Sequence, residues 1–146
     1  MFDSIDGIPL HPLVVHAVVV LLPLAVLGTV AVVVVPPWRR RFGWLLVGCT
    51  AVATVLIPVA TQSGEALEKW VGDPGEHAKL GEQLIWFALP LLVLDVLLVV
   101  LSGRGHRVLT GFVAVLALAA SVAAGVQVYR VGDSGARSAW EGTVQS

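Results

Sequence analysis

The apolar run from Leu13 to Val35 is broken only by His16 and Thr29, and it is long enough to cross a bilayer. Three further runs of the same character follow, at about 43–60, 84–101 and 108–128. Together they predict an all-α fold: an integral membrane four-helix bundle forming a single domain over 1–146. Composition agrees, with 57% hydrophobic and 13% charged residues departing from a soluble average in opposite directions. A net charge of −1, with no basic patch outside short loops, argues against a nucleic-acid partner. Cys49 is the only cysteine, so no disulfide forms within the chain. There is no phosphate-binding glycine loop and no nucleophile with a base at motif spacing, so nothing matches a hydrolase, transferase or nucleotide site, and the residues leave enzyme activity open.

The connections set the expected orientation. Pro36-Pro37 ends the first run, and Trp38 with Arg39, Arg40 and Arg41 follows. Ser102 to Arg107 is a tight turn carrying Arg104 and Arg107. Both basic loops belong to one side, which the positive-inside rule makes cytoplasmic. The acidic hairpin 61–83 and both termini then lie outside, with lipid as the surrounding partner. Within that hairpin Asp73 reads as an N-cap, Pro74 as a first helical residue and Glu76 as the third member of a capping box. The third helix is expected to start near Pro74 and enter the bilayer near Leu84. Trp38, Trp44, Trp70 and Trp140 read as interface anchors, and Trp86 as packing.

Seven unusual residues fall at the outer end: His11, His16, Glu65, His77, Gly81, Asp133 and Arg137. At about 1.5 Å of rise per residue, His11, Glu65 and His77 share one layer and His16 lies deeper. His11 and His16 are about 140° apart around a helix and cannot chelate together on one face. Gly81, one turn after His77, leaves room for a flat group. Asp95 is the only charge inside any run, at the depth of Thr29 and Thr50. It reads either as a proton or ion site or as an interhelical hydrogen bond to a threonine. The fourth run has small residues four apart, Ala117, Ser121 and Gly125, and Ala120 with Ala124, which allow close helix approach.

Several pieces resemble one family. They are the His-Pro-x-x-Val-His opening at 11–16, Ser-Gly-Glu at 63–65, His-x-x-x-Gly at 77–81, and Gly-Asp-Ser-Gly-Ala-Arg-Ser-Ala-Trp at 132–140. Together they resemble the bacterial membrane family catalogued as domain of unknown function 2231, over nearly the whole chain. Two positions depart from its usual pattern: Ala17-Val18 stands where Phe-Pro is frequent, and Ser63-Gly64 where Thr-Gly is frequent. The resemblance implies a four-helix membrane domain with polar groups gathered at one end. Some relatives are joined to cytochrome-c-type domains, which implies redox work outside the cytoplasm, here in a bacterial cytoplasmic membrane.

Three functions are therefore expected to compete. One is a haem b or transition-metal site built from His11, His16, His77 and Glu65, with Gly81 giving room, for electron transfer to a redox protein or membrane complex. Another is a structural or interaction subunit, whose small-residue face on the fourth helix binds a partner or a second copy of the chain. The weakest is a small transporter using Asp95, which lacks both an inverted repeat and a second core charge.

Overall fold

A computed structural model describes residues 4–5, 8–71 and 75–141. Ser4–Ile5 (β1) pairs antiparallel with Ile8–Pro9 (β2), and five helices follow. They are α1 (Leu10–Val34), α2 (Pro36–Val71), α3 (Glu76–Gln83), α4 (Ile85–Arg104) and α5 (Arg107–Glu141). Four segments are long and apolar enough to cross a membrane: His11–Val34, Pro36–Ala66, Glu76–Arg104 and Arg107–Ser138. The third joins α3 and α4. Within the spans α1 and α4 are apolar on nearly every side, as expected of helices whose outer faces meet lipid and whose inner faces meet each other. Leu27, Leu45 and Val115 are among the large apolar side chains left exposed.

α1 and α4 each pack against both α2 and α5, which places α1 and α4 on one diagonal of a square bundle. Two apolar clusters stack along its axis. One gathers Val18, Leu22, Ala53, Ile57, Leu84 and Ala88. The other gathers Ala25, Val32, Leu46, Leu98, Val113, Ala114 and Ala117. The small residues of α5 are spent inside this packing: Ala117, Ser121 and Ala124 are fully buried, and a Cβ on Gly125 would lie 3.5 Å from Val26. Most of that face is taken up by packing within the chain, with Ala120 and Gly125 left half-buried.

The helices outrun the apolar stretches. Pro36 begins α2 instead of following a terminated span at a distance, because proline suits a first helical turn. Only Val35 separates α1 from α2, and the expected basic loop is the first turn of α2. Arg39 Nε donates to the Val32 carbonyl at 2.7 Å and Nη2 to that of Val33 at 3.0 Å, satisfying carbonyls at the end of α1. α4 ends at Gly105, whose φ of 77° is the left-handed cap conformation that glycine takes without strain. The polar tail is helical to Glu141. Asp73 and Pro74, the expected cap, lie outside the described residues, as does the side chain of Trp70. Trp38, Trp44 and Trp140 are exposed; Trp86 is too, at 73%, because it projects between the inward positions Leu84 and Ala88 instead of packing inside.

Leu84, the expected point of bilayer entry, is where α3 gives way to α4. Its N–H bonds to Gly81 O at 3.1 Å, three residues back, and leaves the Leu80 carbonyl without its usual helical donor. Gln127 of α5, only 2% exposed, supplies that donor: Nε2 reaches Leu80 O at 3.1 Å. A buried amide thus repairs the break, as an interior polar group must be satisfied.

The halves of the bundle repeat one another. The buried positions of α1 (Val14, Val18, Leu22, Ala25, Thr29, Val32) recur 66 residues later as Leu80, Leu84, Ala88, Leu91, Asp95 and Leu98. In the second helix of each half, Leu46, Thr50 and Ala53 recur 71 residues later as Ala117, Ser121 and Ala124. Both hairpins run in the same sense, so the relation is a parallel repeat about an axis along the bundle.

Candidate functional site

The repeat places His11 in the first turn of α1 and His77 in the first turn of α3, 66 residues apart. Each ring meets the same partners in its own half. His11 Nδ1 lies 3.1 Å from the Ala60 carbonyl and 3.0 Å from Ser63 Oγ. His77 Nδ1 lies 3.2 Å from the Val131 carbonyl and 3.1 Å from Ser134 Oγ. A carbonyl only accepts, so Nδ1 carries the ring proton in both histidines. The serine protons are already used, since Ser63 Oγ donates to Ala60 O and Ser134 Oγ to Val131 O, each at 2.9 Å. Each Nδ1–H is therefore shared between two acceptors, and Nε2 of each ring takes no part in these bonds.

Glycine makes this approach feasible. A Cβ built on Gly64 would come within 3.0 Å of His11 Cε1, and one on Gly135 within 3.0 Å of His77 Cε1. These glycines are themselves counterparts 71 residues apart. A larger residue would push the ring off the helix that holds it.

Both rings line one cavity of about 460 Å³, at the end of the bundle that carries both termini. Val15, Val18, Ile57, Leu84 and Val128 give it apolar walls, and Glu65 and Glu82, both exposed, stand on its lining. Gly81 lines it as well, and a Cβ there would meet nothing within 4 Å; the same holds for Gly132.

The remaining expected site residues are placed elsewhere. His16 is exposed, and its Nδ1 bonds the Pro12 carbonyl of its own helix at 2.6 Å. It is not among the cavity residues, since it projects from a different face of α1 than His11. Among the described residues no group of three or more His, Cys, Asp or Glu stands together as a metal cluster, so His11, His16, His77 and Glu65 do not form one set. Asp133 and Arg137 pair with each other one turn apart, Nε to Oδ2 at 2.9 Å, on the surface. His106 is exposed at the opposite end.

Asp95 is fully buried, and the threonines expected at its depth hold it. Thr29 Oγ1 lies 2.9 and 3.2 Å from its two carboxyl oxygens, and Thr50 Oγ1 lies 2.9 Å from Oδ2. This is the interhelical hydrogen bond of the plainer expectation, tying α1, α2 and α4 together. Cys49 Sγ contacts the Leu21 carbonyl at 3.5 Å and takes no part in either site.

Sequence reasoning found the two histidines and Gly81, but gave no role to Ser63, Ser134 or Gln127, or to Gly64 and Gly135 as ring neighbours. The signal for four of these was present: a Ser-Gly pair at 63–64 recurs 71 residues later at 134–135, each pair downstream of its half's histidine. Gln127 stands out as a lone amide in an apolar run. No curated protein and no solved structure matches the chain significantly. A match does extend over residues 7–146 to the family described as Predicted membrane protein (DUF2231), covering both histidines, both Ser-Gly pairs and every wall of the cavity, and the chain belongs to that family.

Proposed function

We propose that the protein is a cofactor-binding membrane domain that holds haem or a transition metal between His11 and His77 and transfers electrons at the extracytoplasmic face of a bacterial cytoplasmic membrane. One observation carries this reading: two imidazoles border the same largely apolar cavity, each oriented through Nδ1–H by a backbone carbonyl. That is how ligating histidines are held, with the second nitrogen fixing ring orientation and raising the basicity of the first. Imidazole nitrogen suits iron, copper and zinc. A bound redox metal or haem supplies one-electron chemistry, while the chain binds it, orients it and keeps lipid-like walls around it.

The side of the membrane follows from Arg39, Arg40 and Arg41 at the start of α2 and Arg104 and Arg107 at the α4–α5 turn, all at the end opposite the cavity. By the positive-inside rule that end is cytoplasmic.

The test is an absorption spectrum of the purified protein in detergent, before and after dithionite, with elemental analysis of the same sample. A Soret band, or stoichiometric iron, copper or zinc, that disappears in His11→Ala and His77→Ala supports the reading. A second reading rests on the same bonds: the rings already dock α1 on α2 and α3 on α5, as purely structural latches would. It requires a colourless, metal-free protein after reconstitution, with both variants losing only thermal stability.

A further inference from the structure

The repeat constrains the ligand more tightly than the donors alone. We infer that the cavity takes one planar iron tetrapyrrole, with the Nε2 of His11 ligating one face and the Nε2 of His77 the other. This inference rests on the proposed function and narrows it from haem or metal ion to a six-coordinate, bis-imidazole haem.

Ligand number is the first argument. Two imidazoles line the cavity, and although Glu65 and Glu82 also stand on it, among the described residues no three His, Cys, Asp or Glu come together as a group that could hold an ion. A protein-bound zinc ion takes three or four protein ligands. A haem iron brings four nitrogens of its own and asks the protein only for axial ones.

The walls are the second. A cavity of about 460 Å³ falls within the range of sites that enclose organic ligands. Valine, isoleucine and leucine line it from both halves, which suits the edge of a macrocycle.

Placement is the third. α1 lies diagonally opposite the helix pair α3–α4, and the repeat relates His11 to His77. An object between them meets equivalent donors from opposite sides. The halves also differ where bulk would intrude: Val15 and Thr61 of the first correspond to Gly81 and Gly132 of the second. Added Cβ atoms at both glycines meet open space, so the second half leaves the width that a flat ring needs.

The experiment uses the full chain, produced with haem precursor and purified in detergent, with visible spectra, low-temperature electron paramagnetic resonance and haem quantified per chain. Wild type should carry one haem in a low-spin ferric state. His11→Gly and His77→Gly should each convert it to high spin or release it, and added imidazole should restore the low-spin signal. His16→Gly should change nothing. Gly132→Leu, which leaves both histidine latches intact, should abolish haem binding while helicity and a monodisperse elution are kept. A high-spin haem in wild type, or a spin state indifferent to either histidine, overturns the inference and leaves the cofactor reading standing. So does stoichiometric metal without haem. A colourless, metal-free chain after reconstitution with haem and with each metal overturns both.

Discussion

Asp95 allows a prediction in which the sign of one substitution reverses with its background. Thr29 Oγ1 lies 2.9 Å from Ala25 O as well as 2.9 Å from Asp95, and Thr50 Oγ1 lies 3.0 Å from Leu46 O as well as 2.9 Å from Asp95. Each hydroxyl has one proton and two acceptors in reach. If Asp95 is replaced by valine, both threonines fall back on the carbonyl four residues behind, and no donor is stranded. The loss is two interhelical hydrogen bonds of about 0.6 kcal/mol each, so Asp95→Val should cost roughly 1 kcal/mol. Replacing both threonines by valine is different. It strips a fully buried carboxyl of both hydroxyl partners in a place water does not reach, at a cost of about 3 kcal/mol. In that doubly substituted background Asp95→Val should therefore stabilise, by roughly 2 kcal/mol. Unfolding by sodium dodecyl sulfate from mild detergent, followed by far-ultraviolet circular dichroism, gives the four free energies. If Asp95→Val costs as much in the valine background as in wild type, the hydroxyls do not hold the carboxyl and the argument is wrong.

Other expectations follow from named contacts. Gly64→Ala and Gly135→Ala should each cost about 1–3 kcal/mol by overpacking, and by similar amounts, because each places a Cβ 3.0 Å from its own imidazole. A thermal melt in which only one of them matters would break the equivalence of the halves. Gly43→Ala puts a Cβ 2.6 Å from Val99 Cγ2 where α2 meets α4; its melting temperature should fall and should recover when Val99→Ala is added. Gly81→Ala meets nothing within 4 Å and removes a helical glycine, so it should hold or raise stability by up to about 1 kcal/mol in the same melt. For orientation, a membrane-impermeant maleimide applied to intact cells should label Glu76→Cys and spare His106→Cys, each in a Cys49→Ser background; the opposite pattern inverts the assigned topology.

The bundle was legible because hydropathy reports what lipid must cover, and because counting residues along four helices brings Asp95 level with Thr29 and Thr50. Helix length was not legible in the same way. Hydropathy marks the lipid-facing part, whereas the hydrogen-bond ladder of α2 runs on through Thr61, Gln62 and Ser63 into water-facing sequence. His11 and His77 were recognisable as unusual, but one partner of each is a backbone carbonyl, which leaves no trace in a sequence. His16 was already separable from His11 by helical geometry, deeper and about 140° around the turn, and it bonds within its own helix. The repeat was hidden because its two helices recur at different spacings, 66 and 71 residues, so no single shift aligns both.

The same repeat gives Asp95 a meaning that its hydrogen bonds alone do not. Its counterpart in the first half is Thr29, and these two equivalent positions touch each other at 2.9 Å. Two identical hairpins meeting about a true two-fold axis could never build that pair. Identity would set carboxyl against carboxyl, crowding two acids into lipid-shielded space, or hydroxyl against hydroxyl, with no acid at all. Joining both hairpins in one polypeptide lifts that symmetry constraint. Position 29 is free to donate while position 95 accepts, and the centre of the bundle acquires a direction that its outer end, with matching histidines, does not have.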